Sequence, residues 1–213
     1  MTDDLQKYGG SAAIAGALLA IAGDAVVLAA TPAVADDRVS YPLATHAFQL
    51  GQVFFAFTQA LMAAGIVALV RSGAVRPSRS RRIFGGLAIA GIVLTVPGEL
   101  ALIPVAGANV NGAAASAATT MYGIAVLLTD IGLIGFGVLA LRQRRWPAAW
   151  RPLPLALGLF QLLVTTPVAL SAGFASTAAF AVIAIADLLT AGIGLALIRE
   201  PVAAGSLATA PSP

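Results

Sequence analysis

The chain of 213 residues is 59% hydrophobic and only 10% charged, with a mean hydropathy of +0.94, which excludes a soluble globular domain. It equally excludes a disordered chain, which needs low hydrophobicity and high charge. The net charge of +3 and pI near 10.0 do not mark a nucleic-acid binder, because nine of the twelve Lys and Arg residues fall in two short loops.

A membrane-spanning helix needs about 20 mostly apolar residues. Six stretches qualify, at about 9–31, 43–70, 83–105, 119–141, 153–171 and 178–198. The expected fold is therefore all-α, a six-helix transmembrane bundle in one domain over residues 1–200. In the first span Ala12, Gly16, Ala20 and Asp24 form one small-residue stripe, spaced for close helix contact. Its apolar run followed by Ala33-Val34-Ala35 resembles a cleavable signal, but Asp3, Asp4 and the interrupting Asp24 favour a retained helix. The second span has no formal charge. Its Gln49, Gln52, Ala56, Gln59 and Ala63 fall within about 80° of helix circumference, with His46 about 60° beyond. The third carries Gly91, Thr95 and Glu99 on one face, the fourth Asp130, the fifth a lone amide at Gln161, and the sixth Asp187 with Thr190, Ala191 and Gly194. Residues 201–213, small and Pro-ended, read as a disordered cytoplasmic tail.

Orientation follows from the arginines, since short basic loops stay cytoplasmic. Arg71, Arg76, Arg79, Arg81 and Arg82 mark the second connector, and Arg142, Arg144, Arg145 and Arg151 the fourth. Both termini then lie in the cytoplasm. Trp146 and Trp150, beside these arginines, read as headgroup anchors.

The fourth and sixth spans also align without gaps. Asp130 matches Asp187, Gly135 matches Gly192, Gly137 matches Gly194 and Arg142 matches Arg199, while the second span fits the same register with Gln59 at the Asp position. Among the odd spans, Ile14-Ala15-Gly16 with Gly23-Asp24 matches Ile89-Ala90-Gly91 with Gly98-Glu99. Three copies of a two-helix hairpin, inserted in parallel, account for this pattern. Chance matching in an Ala/Gly/Leu-rich chain is the competing explanation.

The candidate chemistry lies in four acids placed in lipid: Asp24, Glu99, Asp130 and Asp187. A central Asp costs about 2.5–3.5 kcal/mol on insertion, and such groups mark ion or proton pathways. No Lys or Arg shares a span interior with them, so each must be protonated, hydrated, hydrogen-bonded or cation-bound. The alternative is a structural hydrogen-bonding role. His46, Gln49, Gln52 and Gln59 are secondary candidates for proton or solute handling. Amides also serve as interhelical glue, and a His near the interface is commonly an ordinary surface group. Zero Cys excludes disulfides and thiolate metal sites, and a single His gives a metal centre too few imidazoles. No metal, cofactor or catalytic residue is assigned, and the sequence leaves open whether the chain is an enzyme. Phosphate-cradling loops, a nucleophile elbow and metalloprotease motifs are absent from the sequence.

Ala64-Gly65-Ile66-Val67-Ala68-Leu69 before a basic loop, Gly98-Glu99, and Arg145-Trp146-Pro147 entering the fifth span carry a whole-chain resemblance. The chain resembles the six-span integral membrane proteins of actinobacteria grouped under domain-of-unknown-function labels. That resemblance implies a bacterial plasma membrane and transfers no functional residue. The leading expectation is a transporter-like or channel-like protein handling protons or a cationic or lipophilic solute. The alternatives are a non-catalytic assembly or sensory subunit packing against partner membrane helices, and a membrane-embedded enzyme acting on lipids or isoprenoids. The expected partners are the bilayer, a small solute or partner helices, with no nucleic acid.

Overall fold

The computed structural model describes residues 2–199, and the expected tail at 201–213 lies outside them. Among the described residues the fold is all-helical. The helices are α1 (Thr2–Ala29), α2 (Thr45–Arg71), α3 (Arg79–Ala101), α4 (Ala113–Gln143), α5 (Leu153–Phe160), α6 (Thr166–Ala172) and α7 (Thr177–Arg199). A single wide π-turn at Gln161–Thr165 joins α5 to α6 into one span. Pro167 follows that turn on the second residue of α6. Lacking an N–H, it leaves a carbonyl of the preceding turn without its helical partner, the usual setting for such a widening. All six spans are long and apolar enough to cross a membrane.

The spans differ from the sequence expectation mainly at their ends. Helix α1 begins at Thr2 and α4 at Ala113, several residues before the apolar windows open. Ala, Ser and Thr have adequate helix propensity, so a helix continues past the point where hydropathy falls.

The spans form a closed ring in chain order. Each contacts its neighbour, α5 packs on both α4 and α7, and α7 returns to α1. Glycines set the close contacts. A Cβ on Gly16 would lie 2.8 Å from the Thr58 carbonyl oxygen, and one on Gly91 would overlap the Thr129 amide. Thr58 and Thr129 directly precede Gln59 and Asp130, so the first two hairpins are packed through equivalent residues. The fourth and sixth spans, α4 and α7, share a register as well. Asp130, Leu133, Phe136, Gly137 and Ala140 are buried in α4, and Asp187, Thr190, Ile193, Gly194 and Leu197 occupy the same buried positions in α7. At the seam, a Cβ on Gly10 would meet the Gly194 carbonyl at 2.6 Å, and one on Gly194 would meet the Gly10 carbonyl at 2.5 Å.

The two ends of the ring are built differently. At the basic end, Ile66, Leu69, Leu133, Phe136, Leu157 and Leu197 form one buried apolar core together with Ala74 and Val75 of the 72–78 connector. Trp146 belongs to this core at 1% exposure, which corrects its reading as a headgroup anchor. A Trp beside arginines looks the same in sequence whether its ring faces lipid or the bundle. Here the chain turns inward, with Arg151 Nε donating to the Trp146 carbonyl at 2.7 Å. Trp150 also packs against the core. The two basic connectors touch, Arg145 donating to the Gly73 carbonyl at 3.3 Å and the Arg76 amide to Gln143 Oε1 at 2.6 Å.

At the far end the 30–44 and 102–112 segments pair over the ring. Val39 N donates to Ala108 O at 3.1 Å, Ser40 N to Ala106 O at 3.0 Å and Val110 N to Asp37 O at 2.8 Å. Asn109 Nδ2 adds a bond to Asp37 Oδ2 at 2.8 Å. Large apolar side chains such as Leu18, Phe57, Ile124 and Leu188 point out of the ring and are exposed, as a lipid-facing surface requires.

Candidate functional site

Three of the four intramembrane acids lie in the far half of the ring, each on a different helix, with Asp24 and Tyr122 common neighbours of the other two. Asp24 lies five residues before the end of α1, Glu99 two residues before the end of α3, and Asp187 ten residues into α7. Glu99 is within electrostatic reach of Asp24 and shares a side-chain hydrogen bond with Tyr122 of α4. Asp187 is within reach of Asp24 and of Tyr122. No Lys or Arg is paired with any of them among the described residues.

The cluster continues through neutral polar groups. Gln59 Nε2 donates to the Tyr122 hydroxyl at 3.4 Å, and the Thr95 hydroxyl stands 3.3 Å from Gln59 Oε1. Thr95 also donates to the Ile92 carbonyl at 2.7 Å, which holds its rotamer against the helix. A chain of contacts thus runs Thr95, Gln59, Tyr122, Glu99, with two further carboxyls beside it. Glu99 and Asp187 are each 8% exposed, and Asp187 Oδ2 is buried without a hydrogen-bond partner. Asp24 is less enclosed. It lines a small crevice with Val27, Phe174, Ser176 and Phe180, between the end of α1 and the turn into α7.

Asp130 stands apart. It is 0% exposed, and neither carboxyl oxygen has a hydrogen-bond partner. A Cβ on Gly158 of α5 would lie 2.9 Å from the Asp130 carbonyl oxygen, so the backbone of α5 closes over this position. Asp130 and Asp187 thus occupy equivalent buried registers of α4 and α7 but unlike surroundings.

The secondary candidates separate as well. Gln59 is in the network. Gln52, two turns nearer the far end on the same face, is buried with Oε1 unpartnered. Gln49 donates to the Ile103 carbonyl at 3.5 Å and ties α2 to the far-end segment. His46 is exposed in the first turn of α2 and takes no part. Gln161 sits at the π-turn, only partly buried. Tyr122 was not among the residues singled out from sequence, although it joins the acids to the amide. The signal for it was one of only three tyrosines standing inside an apolar span. Among the described residues no three His, Asp or Glu side chains are placed to hold a metal ion.

No protein-family model, curated protein or solved structure matches the chain. Its six apolar helices make it a multi-pass integral membrane protein.

Proposed function

We propose that this protein is transporter-like, and that Asp24, Glu99 and Asp187 with Tyr122 and Gln59 form its site for protons or a small cationic solute. The observation that carries this reading is that Glu99 and Asp187, from two different helices, are each within electrostatic reach of Asp24 on a third and of Tyr122, with no Lys or Arg paired to them among the described residues. Like charges in a low-dielectric site repel strongly, so the site gains by taking up positive charge. The packed apolar core at the basic end favours an alternating-access carrier over an open channel, because it separates the cluster from that side. The crevice beside Asp24 has room for no more than about one water molecule, so in this reading the far end opens further to admit the solute. In this reading the basic end is cytoplasmic, by the positive-inside bias, and the membrane is the bacterial plasma membrane of the actinobacterial proteins the sequence resembles.

The test uses purified protein in liposomes under an imposed pH gradient, with lumenal pH followed by a dye while organic cations of graded size are added. Wild type should show cation-dependent proton movement. Glu99→Gln, which keeps size but not charge, should lower it at least about tenfold, since a hydrogen bond to a charged group is worth about 1.5–3 kcal/mol. Equal flux in wild type, Glu99→Gln and empty liposomes would refute the proposal.

A further inference from the structure

A second site lies outside the ring at the basic end. Between the last turn of α2 and the first three turns of α3 runs an open groove of about 550 Å³. Ser78, Arg81 and Arg82 form its rim, and Val70, Gly86 and Ile89 its apolar floor. The floor is clear, since a Cβ on Gly86 would meet nothing within 4 Å.

Arg81 of the rim is held in place, and neither rim arginine is in an ion pair among the described residues. Arg81 Nε and Nη2 both donate to the Val70 carbonyl, at 3.2 and 2.7 Å, which pins the guanidinium against the end of α2. Its Nη1 makes no hydrogen bond among the described residues. Ser78 caps α3 by accepting from the Arg81 amide at 3.1 Å. Arg82 is exposed, and no Asp or Glu occurs between Arg71 and Gly98 to neutralise either arginine.

Depth and chemistry change together along the groove. From Arg82 to Ile89 the helix rises about 10 Å, from the charged end of a transmembrane helix into its apolar stretch. A free anion would use the rim and leave the floor unfilled. A molecule with an anionic head and a hydrocarbon chain satisfies both parts, and basic pockets at helix ends recognise such headgroups. We infer that this groove binds an anionic phospholipid of the adjacent leaflet, its phosphate between Arg81 and Arg82 and an acyl chain along Gly86 and Ile89. The site is independent of the carboxyl cluster and of any transported solute.

The experiment titrates the purified, delipidated full chain with phosphatidylglycerol or phosphatidylcholine and counts bound lipid by native mass spectrometry. Wild type should hold phosphatidylglycerol in preference to phosphatidylcholine. Arg82→Gln should weaken that binding about fivefold, as expected for one arginine near an anionic headgroup. Gly86→Leu, which fills the floor and leaves charge unchanged, should weaken it by at least as much. Both positions face outward, and an unchanged thermal unfolding midpoint checks that both variants are folded. Equal retention of the two lipids, or phosphatidylglycerol binding untouched by both variants, would overturn the inference. Displacement of the lipid by millimolar inorganic phosphate would also overturn it, by making the groove a simple anion site.

Discussion

Asp130 and Asp187 illustrate how environment, not residue type, divides roles among buried acids. Both are buried on an even-numbered span, one residue after a buried Thr129 or Ala186. Asp187 is within electrostatic reach of Asp24 and Tyr122, whereas neither carboxyl oxygen of Asp130 has a hydrogen-bond partner. A buried carboxyl without a partner destabilises the fold, and replacement by an apolar group of similar shape is neutral or favourable. Asp130→Leu, which conserves the branched shape, should leave the thermal unfolding midpoint unchanged or raise it. A drop of several degrees would contradict the isolation of this side chain. The acids themselves were legible in sequence because charge in an apolar span is conspicuous. Their grouping was not. Which of four acids meet depends on ring closure between α1 and α7, a contact between residues far apart in the chain.

At the scale of helices, glycine placement decides how closely the elements approach. Gly10 and Gly194 face each other at the α1–α7 seam, so an added methyl on either would collide with backbone, which cannot give way as a flexible side chain can. Gly194→Ala should therefore destabilise the protein by about 1–3 kcal/mol, the usual range for overpacking. Gly86→Ala, at an open position, should stay within about 0.5 kcal/mol of wild type. Thermal or denaturant unfolding in detergent would compare the two, and equal stability of both variants would contradict the seam. The repeated Ile-Ala-Gly segments are visible in the sequence, and in the first two hairpins the contacts of Gly16 with Thr58 and Gly91 with Thr129 match. The π-turn was not readable. Pro167 shows that a helix must adjust nearby, but not whether it ends, kinks or widens.

For the whole molecule, the account rests on two unlike halves, an apolar plug at the basic end and a polar cluster at the far end. Orientation is tested by cysteine labelling in intact cells, for which the chain offers a cysteine-free background. A cysteine at exposed Ser80, chosen because Ser78 is occupied in capping α3, should resist an impermeant reagent. One at exposed Asn111 should react. The reverse pattern would invert the topology. Hydropathy made the six spans readable, while the plug was hidden, because Trp146 and Val75 lie in segments that read as surface connectors.

The most direct test of the central claim compares the two acids of matching register in one assay. Asp187→Asn and Asp130→Asn each keep size and hydrogen-bonding capacity while removing the ionisable carboxyl. Proteoliposomes of both variants and wild type, matched for folded protein, should be assayed for proton and organic-cation flux across a range of pH. The account predicts that Asp187→Asn loses at least about tenfold in flux, by the same energetic reasoning as for Glu99, whereas Asp130→Asn stays near wild type. Unchanged flux in Asp187→Asn, or an equal loss in both variants, would contradict the assignment of the site to the Asp24, Glu99 and Asp187 cluster.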